Sequence, residues 1–273
     1  MLALVTGASS GIGLQYATQL ARDYHTDLLL VSNQEEEQKK VAADLAAQYG
    51  VKTTALYADL SKQDAAEQLL QYCKDNNLVV DILINNAGVF FFNPYCETSM
   101  KRIELMLNLH MVTVAKLTRL FGEDMINREL TAEEQAQKIC GKPRRKGYIL
   151  NMCSITADIA VQRLSTYGAT KAFLSNFTRS VHIELKEKGV YVTNVTPGAI
   201  NTGLYNIRPW LTKMGLVLGY IVQPDYLARR AVRAMMRGRA KVSVPGVWNT
   251  ILLFFVALIP TCVLRLVRKL KIF

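Results

Sequence analysis

The sequence predicts an α/β fold, a doubly wound parallel sheet of about seven strands with helices on both faces. Short runs rich in Val, Ile, Leu and Tyr alternate along the chain with longer segments of helical apolar spacing. Such alternation is typical of parallel sheets. The short runs lack strict polar alternation, as expected of strands buried on both faces. A glycine-rich segment also follows the first run directly.

The elements can be placed in chain order. The strands are predicted at residues 2–5, 28–32, 53–58, 80–85, 148–153, 190–195 and 241–244. The helices are predicted at residues 11–23, 35–49, 62–76, 104–128, 167–188 and 225–237. Crossovers between parallel strands are nearly always right-handed, and ligands bind beyond the carboxyl ends of such strands. Residues 129–146 are polar and contain the run K-P-R-R-K, which predicts an exposed insertion whose basic residues face solvent or bind a partner.

Composition limits the classes of protein that the chain can be. Half of the 273 residues are hydrophobic and a fifth are charged, which excludes a disordered protein and provides for a sizeable core. The five cysteines show no C-x-x-C spacing and the three histidines are scattered, so we predict reduced thiols and no metal site. The N-terminus enters an apolar run without the features of a signal peptide, and we therefore expect a cytoplasmic protein.

Positive charge is concentrated in the C-terminal part of the chain. Residues 201–273 contain 12 lysines or arginines and a single acid, so they carry the whole net charge of +11. A basic surface favours an anionic partner. We do not expect that partner to be nucleic acid, because aromatic side chains for base stacking are not interleaved with the basic ones.

The segment T-G-A-S-S-G-I-G, residues 6–13, joins the first predicted strand to the first predicted helix. Glycine permits close approach of the backbone and positive φ, and the free N–H groups at a helix start favour a pyrophosphate. The spacing differs from G-x-G-x-x-G, and a glycine-rich turn without a ligand is the alternative. The candidate pyrophosphate-binding residues are Gly7, Ser9, Ser10, Gly11, Ile12 and Gly13.

The end of the second strand is expected to face the adenosine ribose of a dinucleotide. A carboxylate there suits the ribose hydroxyl of NAD, and a basic residue suits the phosphate of NADP. This chain has Ser32, Asn33 and Gln34, which carry neither charge. Neutral donors can bond a phosphate without repelling it, so NADP(H) is favoured, with Asn33 as a contact and NAD(H) as the alternative.

Two further strand ends are predicted to face the same ligand. Asp59 and Leu60 follow the third strand, where the carboxylate would accept a hydrogen bond from the adenine amine or would instead cap the next helix. Asn86, Ala87 and Gly88 follow the fourth strand, where small residues and an amide would let a ribose pack against the backbone.

Four motifs now stand in order: the glycine-rich segment, N-N-A-G at residues 85–88, a serine 13 residues before Y-G-A-T-K, and P-G at residues 197–198. Together they resemble the classical short-chain dehydrogenase/reductase family, from residue 2 to about residue 244. The resemblance implies a Rossmann-like fold and an oxidoreductase that moves a hydride between a nicotinamide cofactor and a carbonyl or secondary alcohol. It also implies a single catalytic domain over residues 1–245 and a homodimer or homotetramer.

The same resemblance assigns four catalytic residues. Tyr167 matches the general acid/base, and Lys171, one helical turn later, matches the residue that bonds the nicotinamide ribose. A free phenol has a pKa near ~10, and a neighbouring cation favours the phenolate. Ser154 matches the residue that binds the substrate oxygen, and Asn108 matches the residue that holds a water between Lys171 and solvent.

The loop after the sixth strand contacts the nicotinamide carboxamide in members of the family. The matching residues here are Pro197, Gly198, Ile200 and Thr202. The resemblance thus completes a predicted cofactor site that begins at the glycine-rich turn and ends at this loop.

A lid over the site is expected at about residues 199–224. This segment is apolar and contains Tyr205 and Trp210, which we predict to contact substrate together with Ser154 and Tyr167. Such a lid suits a small apolar carbonyl or alcohol substrate, such as a steroid, a 3-oxoacyl compound or a long-chain ketone. The alternative is that the lid residues only pack under the lid.

Two other functions remain compatible with the fold. A non-catalytic nucleotide-sensing or scaffold protein would be favoured by loss of Tyr167, Lys171 or the glycines, and all of these are present. Enoyl reduction is the third reading, against which the spacing of the Ser/Tyr/Lys set argues.

A hydrophobic and basic tail is predicted at residues 246–273. Residues 247–263 are mostly apolar but are interrupted by Pro260, and spanning a bilayer needs roughly 20 apolar residues. Basic and apolar residues then alternate at near-helical spacing. Three readings are open: peripheral contact with an anionic membrane through residues 247–271, docking on the lid or a second subunit, and a transmembrane anchor.

Overall fold

The computed structural model describes residues 1–201, 216 and 221–244. Within them lies a sheet of seven parallel strands: β1 (Leu2–Thr6), β2 (Asp27–Ser32), β3 (Thr53–Tyr57), β4 (Ile82–Asn85), β5 (Gly147–Met152), β6 (Val190–Pro197) and β7 (Lys241–Val244). Their order across the sheet is β7-β6-β5-β4-β1-β2-β3. This order is Rossmann-like, because the winding reverses between β1 and β4. All seven predicted strands are confirmed.

The helices that accompany this sheet are α1 (Gly11–Tyr24), α2 (Glu35–Tyr49), α3 (Ala65–Asp75), α4 (Met100–Leu107), α5 (Thr113–Asn127), α6 (Ala132–Ala136), α7 (Ser165–Lys186) and α8 (Pro224–Met236). The predicted helices are confirmed with ends shifted by a few residues, except for the one at 104–128. There a π-helical turn, Asn108–Val112, separates α4 from α5. The prediction of one regular helix is wrong at this turn.

The strands are hydrophobic on both faces because helices cover both faces of the sheet. In β2, Leu28 and Leu30 pack in the core beneath α1, α2 and α8, whereas Leu29 and Val31 pack in the core beneath α3 and α5. Leu185 of α7 packs against the second of these cores. Each buried aliphatic side chain contributes roughly 1.5–3 kcal/mol. Two-sided burial therefore explains why the predicted strands show no polar alternation.

The insertion at residues 129–146 is structured. It contains α6, which begins with a capping box between Thr131 and Glu134, and a short antiparallel pairing of Lys138–Ile139 with Lys142–Pro143. The insertion therefore has local order that its polar composition did not predict.

A buried charge network fastens this insertion to the amino-terminal end of β4. Arg144 is only 7% exposed, and its Nη2 atom lies 2.7 Å from Asp81 Oδ1 and 2.7 Å from Glu134 Oε1. Arg128 Nη2 approaches the same Asp81 oxygen at 2.6 Å. The alternatives of a solvated or partner-binding cluster are therefore wrong for Arg144, because its charge is neutralised inside the protein.

Parts of the predicted lid and tail lie outside the described residues. The two ends of the lid are joined by parallel pairing of Ala199–Ile200 with Ile221–Val222. Most of residues 199–224 and all of the tail at 246–273 are outside the described ranges. In the part of the chain that is described, no helix combines the length and hydrophobicity needed to span a bilayer.

We expect Asp81→Asn to lower the free energy of unfolding by about 3 kcal/mol, because two largely buried guanidinium groups would lose their shared carboxylate. Urea denaturation would measure the loss. The matched control is Asp75→Asn at the exposed end of α3, which should change stability by no more than about 0.5 kcal/mol. Equal, small losses in both variants would show that the network is not stabilising.

Candidate active site

A crevice opens beyond the carboxyl ends of β1, β4, β5 and β6, where the strand order reverses. Parallel sheets bind ligands at this position, and the crevice has a cavity volume of about 90 Å³. The structure brings eight predicted residues together in its lining: Ile12, Asn86, Gly88, Ser154, Tyr167, Lys171, Pro197 and Ile200. Four further lining residues were not predicted as site residues: Val89, His110, Met152 and Cys153.

The glycine-rich turn between β1 and α1 requires glycine at two positions for steric reasons. Gly7 has a φ of +66°, and a Cβ atom on it would lie 2.9 Å from the Cα atom of Ala87. A Cβ atom on Gly13 would collide with the carbonyl oxygen of Gly7. α1 begins at Gly11, directly after Ser10 in extended conformation. The first N–H groups of a helix have no partner within it, so the turn has the geometry of an anion site.

The loop after β4 is braced against this turn by hydrogen bonds. The Thr6 hydroxyl oxygen accepts from the backbone N–H groups of Asn86 and Ala87 at 2.9 and 3.0 Å. The Asn86 side chain donates from Nδ2 to the carbonyl oxygens of Thr6 and Gly7 at 3.0 and 3.3 Å. Asn86 thus fixes the shape of the glycine-rich turn while also lining the crevice.

The end of β2 is a neutral hydrogen-bonded cluster. Ser32 Oγ donates to Ser9 Oγ at 3.1 Å, and Ser9 Oγ donates to Gln34 Oε1 at 2.6 Å. Asn33 lies between Ser32 and Gln34 in the sequence and is exposed. The nearest acidic residue in sequence is Glu35, which begins α2. The tip of β2 itself therefore presents no carboxylate to a ligand.

Asp59 and Leu60 follow β3 at the same edge of the sheet. Asp59 Oδ1 accepts from the Ser61 backbone N–H at 3.1 Å and from the Ser61 hydroxyl at 2.7 Å. These two bonds lower the pKa of Asp59 below its usual value. Leu60 is buried, and its carbonyl oxygen accepts from Thr113 Oγ1 at 2.8 Å. Contact of Asp59 with an adenine amine remains a prediction.

Ser154 lies directly after β5, at the start of a short 3-10 helix, Ile155–Ala157. Its Oγ atom accepts from the Thr156 backbone N–H at 3.2 Å and from the Thr156 hydroxyl at 3.0 Å. In these contacts the Ser154 oxygen only accepts. Its own proton is therefore available to donate to a substrate oxygen.

Lys171 is buried in α7, with an exposed fraction of 6%. Its Nζ atom donates to the Met152 carbonyl oxygen at 2.8 Å. Burial lowers the pKa of Lys171 to about 8, although the nearby Cys153 opposes the shift. The ammonium charge is thus present at neutral pH but is more easily lost than that of an exposed lysine.

The ring of Tyr167 is held in the crevice by aromatic neighbours. Phe90 contacts it edge-to-face with ring centroids 5.1 Å apart, and His110 does so at 5.8 Å. Such edge-to-face contacts are favourable for aromatic pairs. Lys171 Nζ lies 5.6 Å from the centroid of the Tyr167 ring. The predicted phenol and ammonium are therefore neighbours in the folded protein.

Asn108 occupies the first position of the π-helical turn and is half-buried. It is not among the residues that line the crevice. π-helical turns occur frequently at functional sites. The location fits the predicted catalytic role of Asn108, which remains a prediction.

His110 is the most informative residue that the sequence analysis missed. Its scattered position in the sequence predicts a structural histidine rather than a ligand, yet His110 lines the crevice and contacts Tyr167. The only signal was its position two residues after Asn108 in L-N-L-H. A regular helix turns such a pair about 200° apart, so the sequence alone gave no reason to place His110 near the site.

The loop after β6, which is predicted to contact the nicotinamide, forms a further wall of the crevice. Pro197 and Ile200 line it, and the backbone N–H of Gly198 donates to the Val244 carbonyl oxygen at 2.8 Å. The predicted residues Thr202, Tyr205 and Trp210 lie outside the described residues. No cluster of potential metal ligands occurs in the described ranges. The four cysteines described there are free thiols, of which Cys73 and Cys153 are buried and Cys96 and Cys140 are exposed.

Comparisons with known sequences show which family the chain resembles. The family model of short chain dehydrogenases matches residues 1–210. The very-long-chain 3-oxoacyl-CoA reductase of Anas platyrhynchos is 31% identical over 209 residues, which are 75% of this chain and 61% of that relative. Hydroxysteroid dehydrogenase-like protein 1 of Gallus gallus is 28% identical over 250 residues, which are 90% of this chain and 68% of that relative. The chain thus spans about three fifths of the length of the first relative.

A solved structure of a short-chain dehydrogenase has a similar fold. The short-chain dehydrogenase from Sphingobium yanoikuyae in complex with NADPH is 26% identical in sequence, and its structure matches with a TM-score of 0.74. The match covers 92% of this chain and 91% of that one. Because the family model matches most of its residues, the chain belongs to the short-chain dehydrogenase family.

Proposed function

We propose that the protein is an NADP(H)-dependent oxidoreductase that reduces the carbonyl group of an apolar substrate to a secondary alcohol. The observation that carries this proposal is the meeting of Ser154, Tyr167 and Lys171 in one crevice with the loop after β4. Family membership supports the same reaction class. The nicotinamide cofactor would supply the hydride when bound.

The residues at the first turn fit a dinucleotide. A Cβ atom on Gly11, the first residue of α1, would meet no atom of the described residues within 4 Å, so the space beside the start of this helix is open to a ligand. At the tip of β2 the exposed Asn33 and the Ser9–Gln34 pair offer neutral polar groups. NADP(H) is the favoured cofactor because no carboxylate there repels a phosphate. The bound NADPH of the Sphingobium relative agrees with this choice.

Three side chains have separate roles in the proton transfer to the substrate oxygen. Tyr167 donates the proton that converts the carbonyl oxygen into a hydroxyl. Ser154 donates a hydrogen bond to the same oxygen and so fixes the carbonyl in position. The ammonium of Lys171 favours the phenolate that Tyr167 becomes, since opposite charges attract most strongly away from water.

An aromatic rim favours 3-oxoacyl thioesters among the apolar substrates. Phe91 and Phe92 follow Phe90, whose ring contacts Tyr167, and the guanidinium groups of Arg102 and Arg163 lie over the rings of Phe91 and Phe92 at 4.9 and 5.4 Å. Arg163 is four residues from Tyr167, so their Cα atoms are within about 14 Å. Apolar rings would receive an acyl chain, and the cations would receive a phosphorylated head group.

The names of two relatives indicate two candidate classes of substrate. The duck relative is named a 3-oxoacyl-CoA reductase, and the chicken relative is named hydroxysteroid dehydrogenase-like. A steroid is therefore the second candidate, and a long-chain ketone the third. A scaffold role without turnover is less well supported, because the Ser154, Tyr167 and Lys171 side chains all line the crevice.

We expect Tyr167→Phe to reduce kcat for NADPH-dependent carbonyl reduction by about 10³-fold, because the variant lacks the proton donor. The Kd for NADPH should change less than about twofold, since the ring that Phe90 and His110 contact is retained. NADPH oxidation would be measured with 3-oxoacyl-CoA, uncharged 3-oxoacyl thioesters, steroids and long-chain ketones. Tyr72→Phe on α3 is the control and should keep full activity.

Two outcomes of that experiment would count against the proposal. Unchanged turnover by Tyr167→Phe would remove the residue from the reaction. Tight NADPH binding by the unaltered protein without turnover of any carbonyl would instead favour the nucleotide-sensing alternative.

The pKa of Lys171 predicts the pH dependence. Because burial lowers this pKa to about 8, the ammonium is present below that pH and is lost above it. We expect kcat/KM for reduction to be constant from about pH 6 to 7 and to fall as the pH rises through about 8. Lys171→Arg should have a lower rate but no fall in this range, since a guanidinium stays charged. A flat profile to about pH 9.5 in the unaltered protein would contradict the assigned role.

A further inference from the structure

His110 joins two parts of the site that belong to different elements. It is buried, with 1% of its surface exposed, at the π-helical turn between α4 and α5. On one side its Nε2 atom lies 3.0 Å from the backbone nitrogen of Val89, in the loop after β4. On the other side its Nδ1 atom lies 3.1 Å from Thr170 Oγ1, on α7.

The hydrogen bonds around Thr170 determine where the imidazole proton resides. The Thr170 hydroxyl donates to the carbonyl oxygen of Tyr167 at 2.8 Å. Its single proton is thereby used, so the hydroxyl oxygen must accept from His110. His110 Nδ1 therefore carries the hydrogen, and Nε2 has the free lone pair that accepts the Val89 N–H.

The charge state of His110 agrees with that assignment. Burial lowers the pKa of His110 well below its usual value, and the charge of Lys171 lowers it further. The neutral ring is the form that can accept from Val89, because an imidazolium has no lone pair for a hydrogen bond. One protonation state thus satisfies every contact of the ring.

Close packing leaves the ring no room to shift. A Cβ atom on Gly88 would lie 2.8 Å from His110 Nε2, so glycine at this position allows the loop to approach the imidazole. On its other side, the ring meets Tyr167 edge-to-face at 5.8 Å.

We propose that His110 is a positioning residue, which sets the distance between the loop at residues 86–89 and the turn of α7 that carries Tyr167. This inference rests on the proposed function, in which that loop faces the cofactor and Tyr167 donates the proton. A misplacement of about 1 Å in such a site can reduce a rate by about 10²-fold. The series of hydrogen bonds from the Val89 N–H through His110 and Thr170 to the Tyr167 carbonyl oxygen would prevent such a misplacement.

Two substitutions at His110 test its bond to Val89 and its bond to Thr170 separately. His110→Gln retains an acceptor near the Nε2 position but loses the donor to Thr170, so kcat should fall about 10-fold while the Kd for NADPH stays within about twofold. His110→Asn retains a donor near Nδ1 but loses the acceptor for Val89, so the Kd for NADPH should rise about fivefold. Thermal denaturation would verify that both variants are folded at the assay temperature.

Thr170 provides the conservative control and a test of coupling. Thr170→Ser keeps the hydroxyl, and its kcat should stay within about twofold of that of the unaltered protein. Thr170→Val removes the hydroxyl, and its kcat should fall about 10-fold. The kcat of the double variant His110→Gln/Thr170→Val should also fall by only about 10-fold, because both changes break the same hydrogen bond between His110 and Thr170. A loss of about 100-fold in the double variant, or an unchanged kcat in His110→Gln, would overturn the proposal.

A measurement without turnover separates this inference from the proposed function. Nitrogen-15 spectra of the imidazole groups would be recorded, with His110 assigned by its absence from the His110→Gln spectrum. The expected result is one protonated Nδ1 and one unprotonated Nε2 at neutral pH. The other tautomer, or an imidazolium, would refute the bridge even in an active enzyme, whereas a protein that reduces no carbonyl would refute only the function.

Discussion

The bond from the Lys171 ammonium to the Met152 carbonyl is the interaction on which the rest of the site depends. It places α7 at a fixed depth against the end of β5, and so places Tyr167 one turn earlier. Below it, Asn151 Nδ2 donates to Thr178 Oγ1 at 3.0 Å, and Asn194 Nδ2 donates to Ser175 Oγ at 2.9 Å. A buried charge is costly without partners. Keeping the ammonium in this location is understandable if it also acts on the phenol and on a ribose.

The sequence predicted most of the fold because its signals are local. Apolar runs and helical spacing located the seven strands, and the glycine-rich turn, Ser154, Tyr167 and Lys171 lie where their motifs suggested. The failures involve interactions that no local pattern encodes. Arg144 is buried because it meets Asp81, 63 positions away. The π-helical turn depends on the hydrogen-bond register within a helix, and it gives His110 a location that a regular period would not.

The two sides of the crevice follow from different parts of the chain. The side that we propose for the cofactor is built from β1, β4 and their loops. There the Thr6 hydroxyl accepts hydrogen bonds from the loop after β4, and the Asn86 side chain donates to the Thr6 carbonyl oxygen. We propose that the substrate side combines the amino-terminal end of α7 with the aromatic rim at Phe91 and Phe92. The first 200 residues are electrically balanced, whereas the remainder is strongly basic. A substrate with an apolar chain and an anionic head would match both the rim and this charge.

The most direct test of the central claim is isotope transfer. The protein would be incubated with a 3-oxoacyl thioester and NADPH deuterated at C4 on one face or the other, and the product analysed by mass spectrometry and NMR. The account predicts one deuterium on the carbon that bears the new hydroxyl, delivered from one face of the nicotinamide only. Deuterium on a neighbouring carbon, or NADPH consumption without deuterium in the product, would contradict it.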